Sequence, residues 1–537
     1  MHPILKLSFS RAGGVYNRLD LIELIFGRTS KPYPSVTNMK SHKNRFLYLL
    51  SVLLVGFGLT LVGRVTAQTF SNLYNFSVDF VFFDGNVSNS DGYAPNGSLI
   101  LSGKTLYGTA GQGGSWGNGT IFAVDTHGLN FTNLHSFTAT SAPTYAGGTN
   151  SDGATPSAGL LLSGNSLYGT AAYGGAFGGG TVFAIHTDST GFTNLYSFST
   201  QGTNELGRYT NSDGFYPNGA LILSGNSLYG TAYNGGANGN GSVFKLNTDG
   251  TGFTNLYSFT ATSVALPNTN NDGANPNSVI LAGNRLYGTT YYGGTNGNGT
   301  VFALNTDGTG LSVLHTFTAE SENTNSDGAN PAAGLVLSGT TLYGATFWGG
   351  SSGVGTVFAI QTNGSSFANL HSLTNSDGAN PDAGVIVSGG AVYGTDLDTV
   401  FAVTTNGSSF TVLATFVGMQ YDPVNGTETN SAGYDPSGSL ALSGSTLYGA
   451  ASTGAINGSG TMYSILLVPN LTLVNSKGGN LILTWPTGFG GVMLQSTSNL
   501  VSTAAWSTVF PAPIVVNGLE TVTNQISGTK MFYRLSL

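Results

Sequence analysis

The chain has 537 residues, of which 81 are glycine, 7% are charged and none is cysteine. The absence of cysteine excludes disulfides, thiol catalysis and cysteine-ligated metals. Residues 68–537 hold seven basic and 22 acidic residues, a net charge of −15, so they lack the basic stripe that nucleic acids and anionic membrane surfaces require.

The N-terminal part carries a predicted export signal. A basic run from Met39 to Arg45 precedes an apolar run from Phe46 to Val62, and the small residues Val65–Ala67 follow. This order is typical of a secretory signal peptide, assigned here to residues 39–67. An uncleaved signal anchor is the alternative, because such an apolar run nearly spans a bilayer.

Two expectations follow from this signal. Residues 1–38 show no pattern of their own, so they are predicted to be a non-native extension before the true start at Met39. The protein is expected to be exported to the cell surface or the extracellular space, with the periplasm as an alternative. No stable membrane span is expected once the signal is cleaved.

An internal repeat dominates the chain after residue 68. Its anchor, Asn-Ser-Asp-Gly-x-x-Pro, occurs seven times, and successive anchor prolines lie 50–61 residues apart. Two copies are imperfect, with Asn271 in place of serine and Ala432 in place of aspartate. The copies are Asn89–Pro95, Asn150–Pro156, Asn211–Pro217, Asn270–Pro276, Asn325–Pro331, Asn375–Pro381 and Asn430–Pro436.

Each copy contains four short β-prone segments separated by Gly, Asn and Asp turns. Strand A is an apolar run, strand B reads Leu-Tyr-Gly-Thr, strand C reads Thr-Val-Phe-Ala, and strand D reads Phe-Thr-Asn-Leu-Tyr-Ser-Phe. Four antiparallel strands in a repeat of this length are typical of a propeller blade. The successive apolar residues of strand A predict an innermost strand buried on both faces.

The two ends of the array predict a closed ring. A D segment, Phe70–Phe76, precedes the first anchor, whereas the seventh copy has A, B and C segments but no D segment. Pairing of the segment around Leu73 with strand C around Met462 would close the ring and remove an open sheet edge. We therefore predict an all-β fold with a seven-bladed β-propeller over residues 68–467.

A second module is predicted at the C-terminus. Alternating strands in residues 468–537 indicate a small β-sandwich-like domain, in which Trp485 and Trp506 are interpreted as core residues. The segment resembles the Trp-Pro…Leu-Gln-Ser…Phe-Tyr-Arg-Leu tail of exported bacterial repeat proteins.

The repeat motifs also carry a family resemblance. With its Ser-Asp-Gly-x-x-Pro, Leu-Tyr-Gly-Thr and Gly-x-Gly-Thr-Val-Phe motifs, residues 69–466 resemble the GloVer tandem repeats of "choice-of-anchor" exported bacterial proteins. The resemblance implies export. It implies no established activity and supplies no catalytic residues.

Six anchor aspartates occupy equivalent positions on one predicted face, where the D-to-A and B-to-C connections meet. We interpret them as structural, with each carboxylate capping the backbone of the following glycine. A ring that binds cations or sugar hydroxyls is the alternative, but one carboxylate per loop is poor for Ca²⁺. They are Asp91, Asp152, Asp213, Asp272, Asp327 and Asp377.

The B-to-C loops differ between repeats, so they are the candidate ligand site. Their aromatic side chains are predicted to stack on sugars or on a protein partner, with packing between blades as the alternative. The sixth repeat lacks the loop and has Asp396 and Asp398 instead, which predicts an asymmetric cleft. The candidate rings are Trp116, Tyr173, Tyr233, Tyr292 and Trp348.

No catalytic motif, metal-binding motif or cofactor site is predicted. The five histidines after residue 67 lie at repeat positions, and three of them replace a strand-D tyrosine, which disfavours a catalytic role. The three are His135, His315 and His371, whereas His127 and His186 lie in C-to-D turns. We expect a monomeric, non-catalytic binding or scaffold module for extracellular polysaccharide or a surface protein. A propeller glycosidase or lyase that uses channel carboxylates, and a structural cell-surface or matrix protein, are the alternatives.

Overall fold

The fold is all-β in the part of the chain that the computed structural model describes. No α-helix occurs there, and no described helix is long and apolar enough to cross a membrane. The predicted signal peptide and the residues before it lie outside the described ranges. Those ranges are 69–77, 80–81, 87–144, 147–204, 208–264, 266–416, 418–422, 427–467, 471–476, 480–486, 493–497, 506–509, 511–516, 519–525 and 532–536.

The repeat region forms short strands in chain order. They are β1 (Thr69–Asn75), β2 (Phe80–Val81), β3 (Val87–Ser88), β4 (Ile100–Ser102), β5 (Thr105–Ala110), β6 (Thr120–Asp125), β7 (Thr132–Ser136), β8 (Leu161–Ser163), β9 (Ser166–Ala171), β10 (Thr181–His186), β11 (Thr193–Ser197), β12 (Gly202–Thr203), β13 (Tyr209–Thr210), β14 (Ile222–Ser224), β15 (Ser227–Ala232), β16 (Ser242–Asn247), β17 (Thr254–Ser258), β18 (Ala274–Ala282), β19 (Arg285–Tyr292), β20 (Thr300–Asn305), β21 (Ser312–Thr316), β22 (Val336–Ser338), β23 (Thr341–Thr346), β24 (Thr356–Gln361), β25 (Ala368–Ser372), β26 (Ile386–Ser388), β27 (Ala391–Thr395), β28 (Thr399–Thr404), β29 (Phe410–Thr415), β30 (Gln420–Asp422), β31 (Thr427–Thr429), β32 (Ala441–Ser443), β33 (Thr446–Ala451) and β34 (Thr461–Leu466).

Most of these strands belong to four-stranded antiparallel sheets, one for each copy of the repeat. We number them as repeat sheets 1 to 7: β4–β7, β8–β11, β14–β17, β18–β21, β22–β25, β26–β29, and β32–β34 with β1. Three two-stranded hairpins, β2–β3, β12–β13 and β30–β31, lie in connections between repeat sheets. The four-strand repeat that the sequence predicts is confirmed, whereas these hairpins were not predicted.

The first strand pairs with the last repeat, as the sequence predicts. Strand β1 is antiparallel to β34, with Phe70 opposite Ile465 and Tyr74 opposite Met462. Repeat sheet 7 therefore takes its outer strand from the beginning of the repeat region and its other three strands from the end.

The glycine of the Leu-Tyr-Gly motif creates space for the aromatic ring of strand C. Gly108 lies opposite Phe122 in the sheet, and a Cβ atom on Gly108 would lie 2.6 Å from Phe122 Cζ. The third repeat has the same arrangement, in which a Cβ atom on Gly230 would lie 2.6 Å from Phe244 Cζ. A larger residue at this position would displace a fully buried ring.

Hydrophobic clusters fill the space between consecutive repeat sheets. One cluster joins Phe137 of the first repeat to Phe183 of the second, and both rings are fully buried. Another joins Met462 of repeat sheet 7 to Phe122 of repeat sheet 1. Replacing such a buried phenylalanine with alanine typically costs about 3–5 kcal/mol, so this packing is a main source of stability.

The inner strands differ from their prediction. Strand A has three residues in every repeat except the fourth, where β18 has nine, and Ile100 and Leu101 are half-buried rather than buried on both faces. Strands B and C are the fully buried elements, as in β5 and β6. Strand A lies at the edge of its sheet, with strand B on one side only, and in the third and fourth repeats its residues Ile222 and Ile280 line a cavity.

The C-terminal residues form two further sheets. Strands β35 (Thr472–Ser476), β36 (Asn480–Pro486), β37 (Met493–Thr497), β38 (Ser507–Thr508), β39 (Ile514–Val516), β40 (Leu519–Gln525) and β41 (Phe532–Ser536) follow the repeats. They pair in the orders β35-β36-β40-β39 and β38-β37-β41. Trp485 is buried among Leu483, Leu494 and Val522, whereas Trp506 is half-buried beneath the Arg534 guanidinium, 4.2 Å from the ring centroid.

Candidate functional site

Two kinds of connection meet on one face of the repeat region, which we call the loop face. The D-to-A connection pairs with the B-to-C loop of the same repeat, for example Ala154 with Tyr173 and Ala329 with Trp348. The A-to-B and C-to-D turns meet separately, as the hydrogen bond from Thr126 N to Lys104 O shows. Both groupings agree with the predicted arrangement of the connections.

The anchor asparagine, not the aspartate, caps the turn of the D-to-A connection. In the first repeat, Asn89 Oδ1 accepts hydrogen bonds from Gly92 N at 2.8 Å and Gly114 N at 3.0 Å. Asn89 also donates to Gly92 O. This corrects the predicted role of the aspartate, because the asparagine amide can donate and accept at once and thereby joins two loops.

The anchor aspartates instead bind the end of the preceding strand D. Asp213 Oδ2 accepts from Tyr196 Oη and Ser199 N at 2.9 and 2.8 Å, and Asp213 Oδ1 accepts from Ser199 Oγ. A histidine replaces the tyrosine in three repeats, where the pairs are His135–Asp152, His315–Asp327 and His371–Asp377. Each carboxylate thus ties the two ends of its own connection together.

The same tyrosine or histidine also touches the next repeat. The Tyr196 ring stacks on Phe253 with a centroid distance of 3.9 Å, and His135 stacks on Phe192 at 3.8 Å. Tyr74 of β1 stacks on Phe131 of the first repeat at 4.2 Å. The aspartates therefore orient rings that contribute to packing between repeats.

These hydrogen bonds also set the charge state of the aspartates. Burial opposes ionisation, but hydrogen bonds from His135 and Thr138 lower the pKa of Asp152 overall. Asp327 has a lowered pKa for the same combination of reasons, with His315 and Thr318 as donors. Both carboxylates are consequently ionised at neutral pH.

The seventh connection lacks both members of the pair. Ala432 replaces the aspartate, and Ala414, opposite Val400 in the sheet, occupies the position of the tyrosine or histidine. The simultaneous loss of both partners was visible in the sequence and could have identified the contact. Either position considered alone does not reveal the contact.

The predicted aromatic residues differ in exposure. Trp116, Tyr292 and Trp348 are 54%, 45% and 43% exposed, whereas Tyr173 and Tyr233 are half-buried. Both half-buried tyrosines contact Tyr216, with ring-centroid distances of 4.9 and 6.1 Å.

Apart from Trp116, which lies in the first repeat's loop, these rings and their neighbours form a series across the second to fifth repeats. Tyr291 packs on Tyr292 at 4.6 Å, and Phe347 packs on Trp348 at 4.9 Å. Sequence reasoning missed Tyr216, which lies in an anchor, and Phe177, which is 52% exposed in the second repeat's loop. We call the rings of residues 173, 216, 233, 291, 292, 347 and 348 the aromatic series.

The aspartates of the sixth repeat lie below the surface of the loop face. Asp396 is fully buried, and its carboxylate accepts from Asp398 N, Thr399 N and Thr399 Oγ1 at 3.1, 2.9 and 2.7 Å. Asp398 is half-buried. Burial raises the pKa of Asp396 to about 7, so this carboxyl group holds its proton far more strongly than an exposed aspartate does.

Two aspartates that sequence reasoning missed lie close to Asp396. Burial and the charge of Asp435 raise the pKa of Asp382 to about 7, and Asp396 adds to this effect. Burial also raises the pKa of Asp435, which accepts from Ser452 Oγ at 2.7 Å. We call Asp382, Asp396 and Asp435 the carboxylate cluster.

All seven repeats line one cavity of about 280 Å³ beside strand A. It is largely polar, because the residue that follows each anchor proline lines it and is polar in every repeat except the fifth, which has Ala332. Four buried side-chain atoms there have no hydrogen-bond partner: Asn96 Oδ1, Asn218 Oδ1, Asp382 Oδ1 and Ser437 Oγ. Within the described residues, no group of three or more His, Cys, Asp or Glu side chains has an arrangement that could hold a metal ion.

A second cavity, of about 580 Å³, lies at the loop face between the third and fourth repeats. Hairpin β12–β13 borders it with Arg208 and Tyr209, and Tyr292 of the aromatic series lies on its other side. Six side-chain amides line it: Gln201, Asn234, Asn238, Asn240, Asn268 and Asn275. We call it the amide pocket.

Comparison with known families identifies one match. The family described as the Gloeobacter/Verrucomicrobia repeat matches residues 58–206 and 261–463. No curated protein matches the chain.

Several solved structures are similar at low identity. The oligogalacturonate lyase in complex with manganese is 10% identical, with 75% of this chain and 98% of that chain covered and a TM-score of 0.43. The extracellular domain of a hybrid two-component system from B. thetaiotaomicron is 11% identical, with 80% and 43% covered and a TM-score of 0.42. The nidogen/laminin complex is 13% identical, with 58% and 92% covered and a TM-score of 0.35. At these values the similarity carries no functional argument.

Proposed function

This chain belongs to the Gloeobacter/Verrucomicrobia repeat family, and we propose that it is an exported, closed seven-bladed β-propeller whose loop face binds extracellular polysaccharide. Closure is supported by the pairing of β1 with β34. It is further supported by the hydrophobic cluster between repeat sheets 7 and 1 and by the cavity that all seven repeats line.

The aromatic series is the observation that carries the binding proposal. Exposed rings on neighbouring repeats offer successive stacking surfaces, and sugars present apolar faces to such rings. The surrounding loops are rich in glycine and asparagine, whose backbone and amide groups suit sugar hydroxyls. A chain of sugars lying across several repeats would use both features.

Polysaccharide binding is tested by probing the full chain on a glycan array, followed by calorimetry on any hit. The test variant combines Trp116→Ala, Tyr292→Ala and Trp348→Ala, and we expect affinity to fall about tenfold or more, since each lost stacking contact costs roughly 0.5–1.5 kcal/mol.

Leu129→Ala is the matched control, because Leu129 is 63% exposed but lies in a C-to-D turn away from the loop face. Its affinity should equal that of the parent chain. Absence of binding to every glycan, or equal binding by the triple variant, would contradict the proposal.

A second candidate function is polysaccharide cleavage, which the carboxylate cluster favours. A carboxyl group with a pKa near 7, such as Asp382, is protonated often enough at neutral pH to act as a general acid. Release of new reducing ends or unsaturated uronate ends from a bound polysaccharide, with loss of this activity in Asp382→Asn, would support it. Binding without any product release would favour the non-catalytic function.

A further inference from the structure

The amide pocket differs in charge from the rest of the molecule. Residues 68–537 carry a net charge of −15, yet among the residues that the structure describes, those that line this pocket include Arg208 and no aspartate or glutamate. In the described D-to-A and B-to-C connections, Arg208 is the one basic residue. A positive group thus lies in a concave site that Tyr292 of the aromatic series also borders.

Arg208 is held in a defined position. Its Nη1 donates to Thr262 Oγ1 at 3.3 Å, and its Nη2 donates to the carbonyl oxygen of Thr262. The backbone of the same residue donates to Asn204 Oδ1 at 2.9 Å. Because a guanidinium carries five N–H donors, two bonds to Thr262 fix the group and leave donors for a ligand.

Rings flank the arginine on the pocket wall. Tyr209, 66% exposed, follows Arg208 in hairpin β12–β13, and Tyr292 is 45% exposed across the pocket. This combination provides stacking surfaces for a sugar ring at the sides of a fixed cation.

The amides supply the remaining contacts that a sugar requires. Asn238 and Asn240 donate their Nδ2 groups to Phe259 O and Thr260 O, which orients both side chains. Asn275 donates to Tyr233 O and to Asn234 Oδ1, each at 3.0 Å. Amides oriented in this way offer fixed acceptors for hydroxyl groups.

We propose that the amide pocket binds an anionic sugar unit, with Arg208 pairing with the acidic group while Tyr209 and Tyr292 contact the ring. This inference rests on the proposed polysaccharide function and adds the class of ligand. Guanidinium binds planar carboxylates in a bidentate geometry and also pairs with sulfate esters, so the acidic group could come from a uronic acid or from a sulfated sugar.

The test compares matched ligands on the full chain. A galacturonic acid tetramer and its neutral, carboxyl-reduced counterpart differ only in charge, and a sulfated neutral tetramer distinguishes the two acidic groups. We expect the parent chain to bind at least one acidic ligand about tenfold more tightly than the neutral one, because charge-assisted bonds are the stronger class. This preference should weaken as salt concentration rises.

Variants distinguish recognition of an acidic sugar by the amide pocket from polysaccharide binding by the loop face as a whole. Arg208→Gln should abolish the preference for acidic over neutral ligands, and Arg208→Lys should retain only part of it, because lysine cannot bind in a bidentate manner. Arg285→Gln is the matched control, since Arg285 begins β19 at an A-to-B turn and bonds to Ser312 Oγ.

The outcomes are distinguishable. Equal binding of acidic and neutral ligands that is unchanged in Arg208→Gln would overturn the anionic pocket while leaving polysaccharide binding intact. Absence of binding by any oligosaccharide or polysaccharide would instead overturn the underlying function. If Arg285→Gln lowered the preference as much as Arg208→Gln, overall charge rather than this pocket would explain it.

Discussion

Two sets of aspartates occur near the loop face, and their electrostatics are opposite. The anchor aspartates recur in six repeats, and where they pair with His135 and His315 their pKa is lowered. The carboxylate cluster occurs once, at the sixth and seventh repeats, and burial raises the pKa of all three members. The same residue type is ionised where hydrogen bonds outweigh the effect of burial, and it holds its proton more strongly where burial outweighs the hydrogen bonds.

Among the aspartates, the largest expected effect on stability comes from removing an anchor aspartate. Asp152→Ala leaves Thr138 N, Thr138 Oγ1 and His135 Nε2 without their acceptor. We expect the free energy of unfolding to fall by about 2–4 kcal/mol, because each buried donor left unpaired costs roughly 1–3 kcal/mol. Urea denaturation of the full chain measures this change.

The double variant His135→Ala/Asp152→Ala sharpens the comparison, because it reproduces the Ala414 and Ala432 pair of the seventh connection. Its loss should be smaller than the sum of the two single losses, since contacting residues are not additive. Strict additivity would show that the pair does not act as a unit.

For the carboxylate cluster, stability should depend on pH in the direction opposite to that expected for the anchor aspartates with a lowered pKa. The pKa of Asp382 is about 7 in the folded chain, above its ordinary value of 3.8, so its stabilising contribution is complete below that ordinary value. It is lost as pH rises through about 7. Thermal stability should therefore decline between about pH 4 and about pH 7 and change little above that range.

Asp382→Asn should flatten this decline and raise stability at about pH 8 by about 1–3 kcal/mol relative to the parent, with little change at about pH 4. Asp152→Asn should instead destabilise at both values, because Asp152 has a lowered pKa. A parent chain whose stability does not change across this range would contradict the assignment.

Substitution of Tyr463, in strand β34 of the seventh repeat, should have a smaller effect on stability. Its side chain is fully buried, its hydroxyl has no hydrogen-bond partner, and the other six repeats have phenylalanine there. Tyr463→Phe should raise the free energy of unfolding by about 1 kcal/mol, because it removes a buried unsatisfied group. A loss of stability would indicate that the hydroxyl has a partner in solution.

The smallest effect is expected on the loop face itself. Trp116 is 54% exposed, so Trp116→Ala should change the free energy of unfolding by no more than about 0.5 kcal/mol. Trp485→Ala, which removes a side chain that is 2% exposed, should cost about 3–5 kcal/mol. Similar losses in the two variants would mean that Trp116 packs against other residues.

Periodicity explains how much of the fold could be predicted. The anchor, the turn residues and the lone segment around Leu73 predict four-stranded repeats and the pairing of β1 with β34, because these depend on patterns that recur along the chain. Hairpin β12–β13 was not predicted, because two-residue strands leave no period to detect.

The candidate site was less predictable, because environment rather than residue type determines its chemistry. Asp91 and Asp382 are the same residue type, and the sequence alone does not distinguish their environments. In the structure, Asp91 accepts hydrogen bonds from Tyr74 and Ser77, whereas one carboxylate oxygen of Asp382 has no partner. One feature of the sequence could have identified the carboxylate cluster. Asp382, Asp396 and Asp435 occupy positions where the other repeats have Ala, Ser, Thr, Asn or Tyr.

Ring closure is tested most directly by a disulfide between the first and last strands. The chain has no cysteine, and Ser71 lies opposite Ser464 in the β1–β34 register, a spacing that suits a disulfide. Ser71→Cys/Ser464→Cys should oxidise fully and raise the melting temperature, whereas the control Ser71→Cys/Ser372→Cys should not crosslink within the chain. Two free, reactive thiols in the folded Ser71→Cys/Ser464→Cys variant would contradict the closed ring.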